Sequence, residues 1–162
     1  MQRISKENYY LNIAQTVLER ATCLRRVYGA IIVKNDEIIS TGYNGAPRGR
    51  RNCVDMGYCT RERLQVPRGE RYELCRSVHA EANAIISAAR RDMLGGTLYL
   101  VGRDAKTHEL LEETLPCSMC KRLIINAGLT QVVVRTGTES CRVIHVRDWV
   151  FNDDSLPGEG SV

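Results

Sequence analysis

Apolar residues Tyr10, Ile13, Ala14, Val17, Leu18 and Ala21 recur three and four positions apart, which predicts an amphipathic helix over residues 5–24. The pattern then changes. "YGAIIV" and "EIISTGY" are short apolar runs separated by "KND", as expected of two antiparallel strands joined by a hairpin. "NGAPRGRRN" breaks the run with Gly, Pro and Asn and reads as a loop, and from Cys53 to Cys75 neither period is kept. "HAEANAIISAAR" is a helix of strong formers with a small-residue face, and "GGTLYLVG" a strand. "RDAKTHELLEET" is a polar loop or short helical insert. "CSMCKRLIINAG" is a helix with Pro116 ahead of it and Gly128 as its stop. "TQVVVR" and "RVIHV" are two more strands, and "NDDSLPGEGSV" a loose tail.

The order α-β-β-α-β-α-β-β predicts a mixed sheet with helices on both faces. One domain over residues 1–150 and a tail over 151–162 are expected. Ligands of such sheets sit beyond strand ends, where helix N-termini converge. His79 and Cys117 both fall at a predicted helix start.

Composition narrows the class. The chain is 43% hydrophobic and 26% charged, as in ordinary globular domains. No apolar run approaches the ~20 residues that span a bilayer. "MQRISKENYY" lacks the apolar core of a secretory signal, so a cytoplasmic protein without membrane contact is expected. The net charge of +4 is too sparse for a duplex-DNA reader, and nucleic acid is not an expected partner. The basic runs "RGRR" (48–51) and "RGERYELCR" (68–76) are either solvated surface or contacts for a phosphate-bearing ligand. Seven cysteines, an odd number, point in a reducing compartment to metal binding or catalysis rather than a disulfide framework.

"SVHAEANAI" (77–85) and "LPCSMC" (115–120) carry the chemistry. A catalytic zinc keeps three protein ligands and an open position, and His79, Cys117 and Cys120 form such a set. Helix N-termini favour the thiolate form of both cysteines. Glu81 lies two residues past His79 and can move protons without ligating the metal. Taken singly, His-x-Glu is commonplace and Cys-x-x-Cys fits a redox pair or half a structural zinc site. A redox pair leaves His79 and Glu81 unexplained. Together, H-x-E…P-C-x-x-C is the signature of zinc deaminases.

The chain resembles the cytidine/deoxycytidylate deaminase superfamily, in its dCMP deaminase branch, over residues 5–135. "CLRRVYGAIIVKNDEIISTGYNGAPRG" is similar to that branch's N-terminal block, and "CRSVHAEANAI" and "PCSMCKRLIINAG" to its two zinc blocks. The resemblance implies a three-layer α/β/α sandwich with a mixed central sheet, in a homo-oligomer. It implies hydrolytic deamination of dCMP to dUMP with release of ammonia, in pyrimidine deoxynucleotide metabolism. A catalytic zinc (Zn2+) would sit on His79, Cys117 and Cys120, with Glu81 as proton shuttle. Asn44 would hydrogen-bond the sugar or base, although "GYNG" also suits a plain turn. The backbone at Ala80 and Cys117 would recognise the base, and Arg48, Arg50 or Arg51 the 5′-phosphate.

Relatives of this type can hold a second, structural zinc, and Cys23, Cys53, Cys59 and Cys75 stand in comparable regions. Four free thiols are the alternative. Cys141 reads as a small core residue, and His108 and His145 as surface or satisfied histidines. Regulation by dCTP and dTTP with magnesium (Mg2+) at a second nucleotide site near "GYNG" is a further implication. Two departures bear on the transfer. "RDAKTHELLEETL" is an insert beside the site, and "RVIHVRDWVFNDD" replaces a longer ending, with Trp149 and Phe151 at a subunit contact or a core edge.

Other readings stay open. Cytidine or dCTP are alternative substrates. A tRNA-editing adenosine deaminase shares the zinc blocks but has no reason to keep "GYNGAPRG". A non-catalytic nucleotide-binding module needs the ligands but not Glu81.

Overall fold

The computed structural model describes residues 1–112 and 114–152. Five strands form one mixed sheet in the order β2-β1-β3-β4-β5. Strands β1 (Arg26–Lys34) and β2 (Glu37–Tyr43) form the expected hairpin. β1 also pairs antiparallel with β3 (Thr97–Asp104). β3 runs parallel to β4 (Gln131–Arg135), and β5 (Cys141–His145) closes the far edge antiparallel to β4. The one parallel pair needs a crossover, which α6 (Ser118–Ala127) supplies.

Period-two alternation sends each central strand to two cores. Val27, Ile31, Tyr99, Val101 and Val133 face α1 (Lys6–Leu18), packing on Tyr10, Leu11, Ala14 and Leu18. Ala30, Ile32, Leu98, Leu100, Val132 and Val134 face the opposite side, with Ala84 of α4 (Ala80–Ile86) and Ile124 of α6. The result is the expected α/β/α layering.

Two glycines set how near the helices come. A Cβ on Gly29 would lie 2.1 Å from the Ala14 carbonyl oxygen of α1, and one on Gly42 would lie 2.3 Å from the Ala80 carbonyl oxygen of α4. Both helices therefore rest backbone against sheet, one on each face.

Several boundaries differ from the expected ones. α1 stops at Leu18 because the next amides close shorter i→i+3 turns, and the Thr22 N–H then turns to the Asn44 carbonyl at 3.1 Å. α4 ends at Ile86, and a separate short helix, α5 (Arg90–Met93), follows. The 53–75 segment is built of short pieces: α2 (Cys53–Met56), α3 (Thr60–Arg63) and a 3₁₀ turn at Tyr72–Leu74. The 103–115 insert makes a turn and an isolated bridge between Arg103 and Leu110 rather than a helix. After β5, α7 (Val146–Asn152) runs past the expected boundary at 150, burying Trp149 in the core and exposing Phe151. Residues 153–162 of the expected tail lie outside the described residues. Among the described residues no helix is long and apolar enough to cross a membrane.

Gly42→Ala forces either β2 or α4 to move, since the clash is with backbone on both sides. It should lower stability by about 2 kcal/mol and loosen the His79 end of α4. Chemical denaturation together with zinc content after dialysis checks both effects. Unchanged stability would mean that α4 is not seated on Gly42.

Candidate active site

His79 is the N-cap residue of α4 and Cys117 the N-cap residue of α6, both in extended backbone just before the helix begins. Cys120 lies within the first turn of α6 and is buried. The parallel β3-α6-β4 crossover and the seat of α4 on β2 bring these helix starts to the same end of the sheet. His79 Nδ1 is 3.4 Å from Cys117 Sγ and 3.4 Å from Cys120 Sγ, and the three ligand atoms lie within 4.8 Å of one another. Tetrahedral zinc with bonds of about 2.3 Å to sulfur and 2.0–2.1 Å to nitrogen sets S and N about 3.5 Å apart. One imidazole and two thiols at this spacing fit zinc in chemistry and in size.

The electrostatics agree. Cys117 is the thiolate of the pair. The Cys120 S–H and the His79 ring hydrogen-bond to it and bring its pKa down to about 4, against a penalty from burial. Cys120, whose proton is shared with Cys117 and which is itself buried, is pushed up. The His79 ring is raised, chiefly by Cys117 and then by Glu81, against burial. Glu81 is 5% exposed, and burial raises its carboxyl above the ordinary range. A buried acid that is not one of the three donors is the arrangement expected of a proton carrier.

The surrounding pocket is lined by Arg26, Tyr28, Asn44, Arg61, Arg68, Tyr72, Leu100 and Leu115, besides His79, Glu81 and Cys117. Asn44 is buried and fastens the end of β2 to the start of β1. Its Oδ1 accepts the Tyr28 N–H at 2.8 Å, and its Nδ2 donates to the Arg26 carbonyl at 2.9 Å. Next to it, Gly45 and Val78 exchange backbone hydrogen bonds of 3.2 and 2.7 Å, tying the "GYNG" turn to the approach to His79. Ala80, the first residue of α4, is fully buried.

Arg48, Arg50 and Arg51 lie outside this pocket. Arg48 lines a neighbouring cleft with Tyr43 and Asn83, and the Arg51 side chain donates to the Asp55 carbonyl. The proline and glycines around them carry the loop away over the surface. The guanidinium groups that do reach the pocket belong to Arg25, Arg26, Arg61 and Arg68. Arg25 is already paired with Glu62 at 3.0 Å. Arg61 is buried, donates to the carbonyls of Pro67 and Glu70, and stacks 4.7 Å over Tyr72. Tyr72 in turn meets the His79 ring edge-on at 5.3 Å. No periodicity marks these residues. Arg68 and Tyr72 belong to the "RGERYELCR" run named above, whereas Arg25, Arg26 and Arg61 carried no such sign.

Cys23, Cys53, Cys59 and Cys75 come near one another: burial raises the Cys53 thiol, and Cys23, Cys75 and Cys59 raise it further. Cys23, Cys59 and Cys75 stand on the pocket wall, whereas Cys53 is buried at the start of α2. Among the described residues, His79, Cys117 and Cys120 are the group whose ligand atoms gather. None of the seven cysteines is in a disulfide. Cys141 packs at the edge of the α1-side core.

Sheet order and donor set place the chain in the class of zinc-binding deaminases with a cytidine deaminase-like fold. It belongs to the cytidine and deoxycytidylate deaminase family, whose zinc-binding region matches residues 4–136. A deoxycytidylate deaminase of Mycobacterium phage D29 is 38% identical over 139 residues, covering 82% of this chain and 96% of that one. A deoxycytidylate deaminase of Schizosaccharomyces pombe is 34% identical over 134 residues, which is 83% of this chain but 38% of the yeast protein. The dCMP deaminase of cyanophage S-TIM5 shares the fold, with a TM-score of 0.56 at 24% identity over 83% of this chain and 85% of the phage chain.

Replacing Cys117 with Ser leaves two donors on a site built for three. Zinc per chain, measured by elemental analysis after chelator dialysis, should fall at least tenfold relative to the parent protein. A parent-like content would remove Cys117 from the ligand set.

Proposed function

We propose that the protein deaminates dCMP to dUMP and ammonia, with Glu81 as the proton carrier. The observation that carries this reading is the buried Glu81 carboxyl beside, but not among, the three metal donors. Zinc on His79, Cys117 and Cys120 supplies, when bound, a Lewis acid that makes water a nucleophile near neutral pH. Glu81 takes one proton from the attacking water and delivers it to N3 of the pyrimidine. It then takes the second from the new C4 hydroxyl and hands it to the departing amine, so that the C4 carbonyl forms as ammonia leaves. The raised pKa of Glu81 suits a group that must both take and return a proton. Burial of Glu81 and Ala80 keeps bulk water from competing for that proton.

Tyr28, Leu100 and Leu115 offer the base an aromatic and two apolar surfaces. Of the four pocket guanidiniums, Arg25 is paired with Glu62 and Arg61 is held by backbone carbonyls. Arg26 and Arg68 make no ion pair among the described residues and suit a 5′-phosphate through charge-assisted hydrogen bonds. This favours a nucleotide over cytidine. Deoxycytidylate deaminase is also the name carried by the D29 relative, which this chain covers almost end to end. The cleft formed by Thr41, Tyr43, Arg48 and Asn83 is the place for a regulatory nucleotide, dCTP or dTTP with Mg2+. A cytoplasmic homo-oligomer completes the reading.

Glu81→Gln should lower kcat for dCMP by about 10²- to 10⁴-fold while zinc content is kept. A variant as active as the parent would point to a binding module or another proton carrier. Arg68→Ala should raise KM for dCMP by about 10- to 100-fold and leave cytidine turnover unchanged. Ammonia release from dCMP, dCTP, cytidine and deoxycytidine is the direct assay. Release from cytidine in preference to dCMP would move the substrate to the nucleoside.

A further inference from the structure

On β4 the alternation puts Val133 and Arg135 on the face that α1 covers. Val133 joins the apolar core there, and Arg135 follows where the pattern calls for another apolar side chain. It is nonetheless 3% exposed. Its Nη1 donates to Gln15 Oε1 at 3.1 Å, and its Nη2 to Asn8 Oδ1 at 3.3 Å and to the Asn8 carbonyl at 3.5 Å. Every one of these acceptors is neutral. Nε is buried with no partner, and no carboxylate pairs with Arg135 among the described residues. Burial presses its pKa downward for the same reason. A buried cation without a counter-charge is costly, and proteins pair such groups.

Arg135 borders a cleft of about 400 Å³ that Asn8, Asn12, Gln15, Thr138 and Glu139 also line. Asn8, Asn12 and Gln15 follow one face of α1 at helical spacing, and amide groups and a threonine hydroxyl are donors that can turn toward an anion. Glu139 contributes its backbone: its carbonyl accepts from Asn8 Nδ2 at 3.3 Å, while its exposed carboxylate makes no ion pair among the described residues. We propose that this cleft, on the opposite face of the sheet from α4 and α6, is an anion site. It takes one oxyanion, a phosphate or carboxylate group, on the unpartnered Nε side of Arg135. The forked guanidinium matches either group through two parallel N–H bonds.

The test is thermal unfolding of the full chain in inorganic phosphate and in succinate, each against sodium chloride at equal ionic strength. The parent should show a saturable rise in Tm on the order of 5 °C in at least one oxyanion. Response to phosphate alone assigns a phosphoryl ligand, and response to succinate a carboxylate. Arg135→Gln should lose that response. Should that variant not fold, Gln15→Glu decides. It sets a carboxylate beside Arg135, so it should raise Tm in chloride and abolish the oxyanion response. No response in the parent, or one that survives in Gln15→Glu, overturns the proposal. A phosphate effect common to all three proteins would belong to the catalytic pocket and would equally overturn it.

Discussion

The contact on which the site depends is backbone against backbone: α4 rests on Gly42, with no side chain between helix and sheet. That approach fixes the height of His79 and Glu81 above the strand ends. The hydrogen bonds of Asn44 and the Gly45–Val78 pair fix the sideways position. Gly29 performs the matching service for α1 on the other face, so the sheet is clamped from both sides at β1 and β2. The metal donors are then assembled by topology. His79 arrives on a helix seated against the hairpin, and the two cysteines arrive on the crossover between the parallel strands.

Once assembled, the donors and Glu81 shape one another. The hydrogen bond with Cys117 raises the His79 ring, and a charge on His79 works against the burial that raises Glu81. Metal binding requires Cys117 and Cys120 to be deprotonated and the imidazole to be neutral, so loading the site must release protons. The hydrogen bonds from Cys120 and the His79 ring, which lower the Cys117 pKa, already favour that deprotonation.

Much of this was legible in the chain. The amphipathic pattern of α1, the hairpin around "KND" and the helix ending at Gly128 carry strong local signals, and the structure has all three. The donor set could be read because Cys-x-x-Cys and His-x-Glu are compact motifs whose spacing survives folding. What escaped was set by distant contacts. Of the two basic runs, "RGRR" lies on a loop outside the pocket, whereas "RGERYELCR" brings Arg68 to its wall, and Arg26, which no motif marked, joins it from β1. Arg61 offered no hint that it would be buried holding the 67–70 carbonyls. The end of α4 at Ile86 was hidden by "SAAR", whose residues are compatible with helix and carry no stop signal.

The 53–75 segment supplies much of the pocket wall, yet its two helices are four residues each. The Arg61 side chain braces it internally, while the Arg25–Glu62 pair and the Val54 N–H to the Thr22 carbonyl tie it to the frame. Such a segment has few apolar anchors, while β1 and β3 are bonded on both edges. Amide hydrogens in the two regions should therefore exchange by different routes, the wall by small local openings and the central strands by global unfolding. On that exchange pattern the chemistry and its enclosure would belong to different cooperative units, with the donors on the slow-exchanging frame and the wall apart from it.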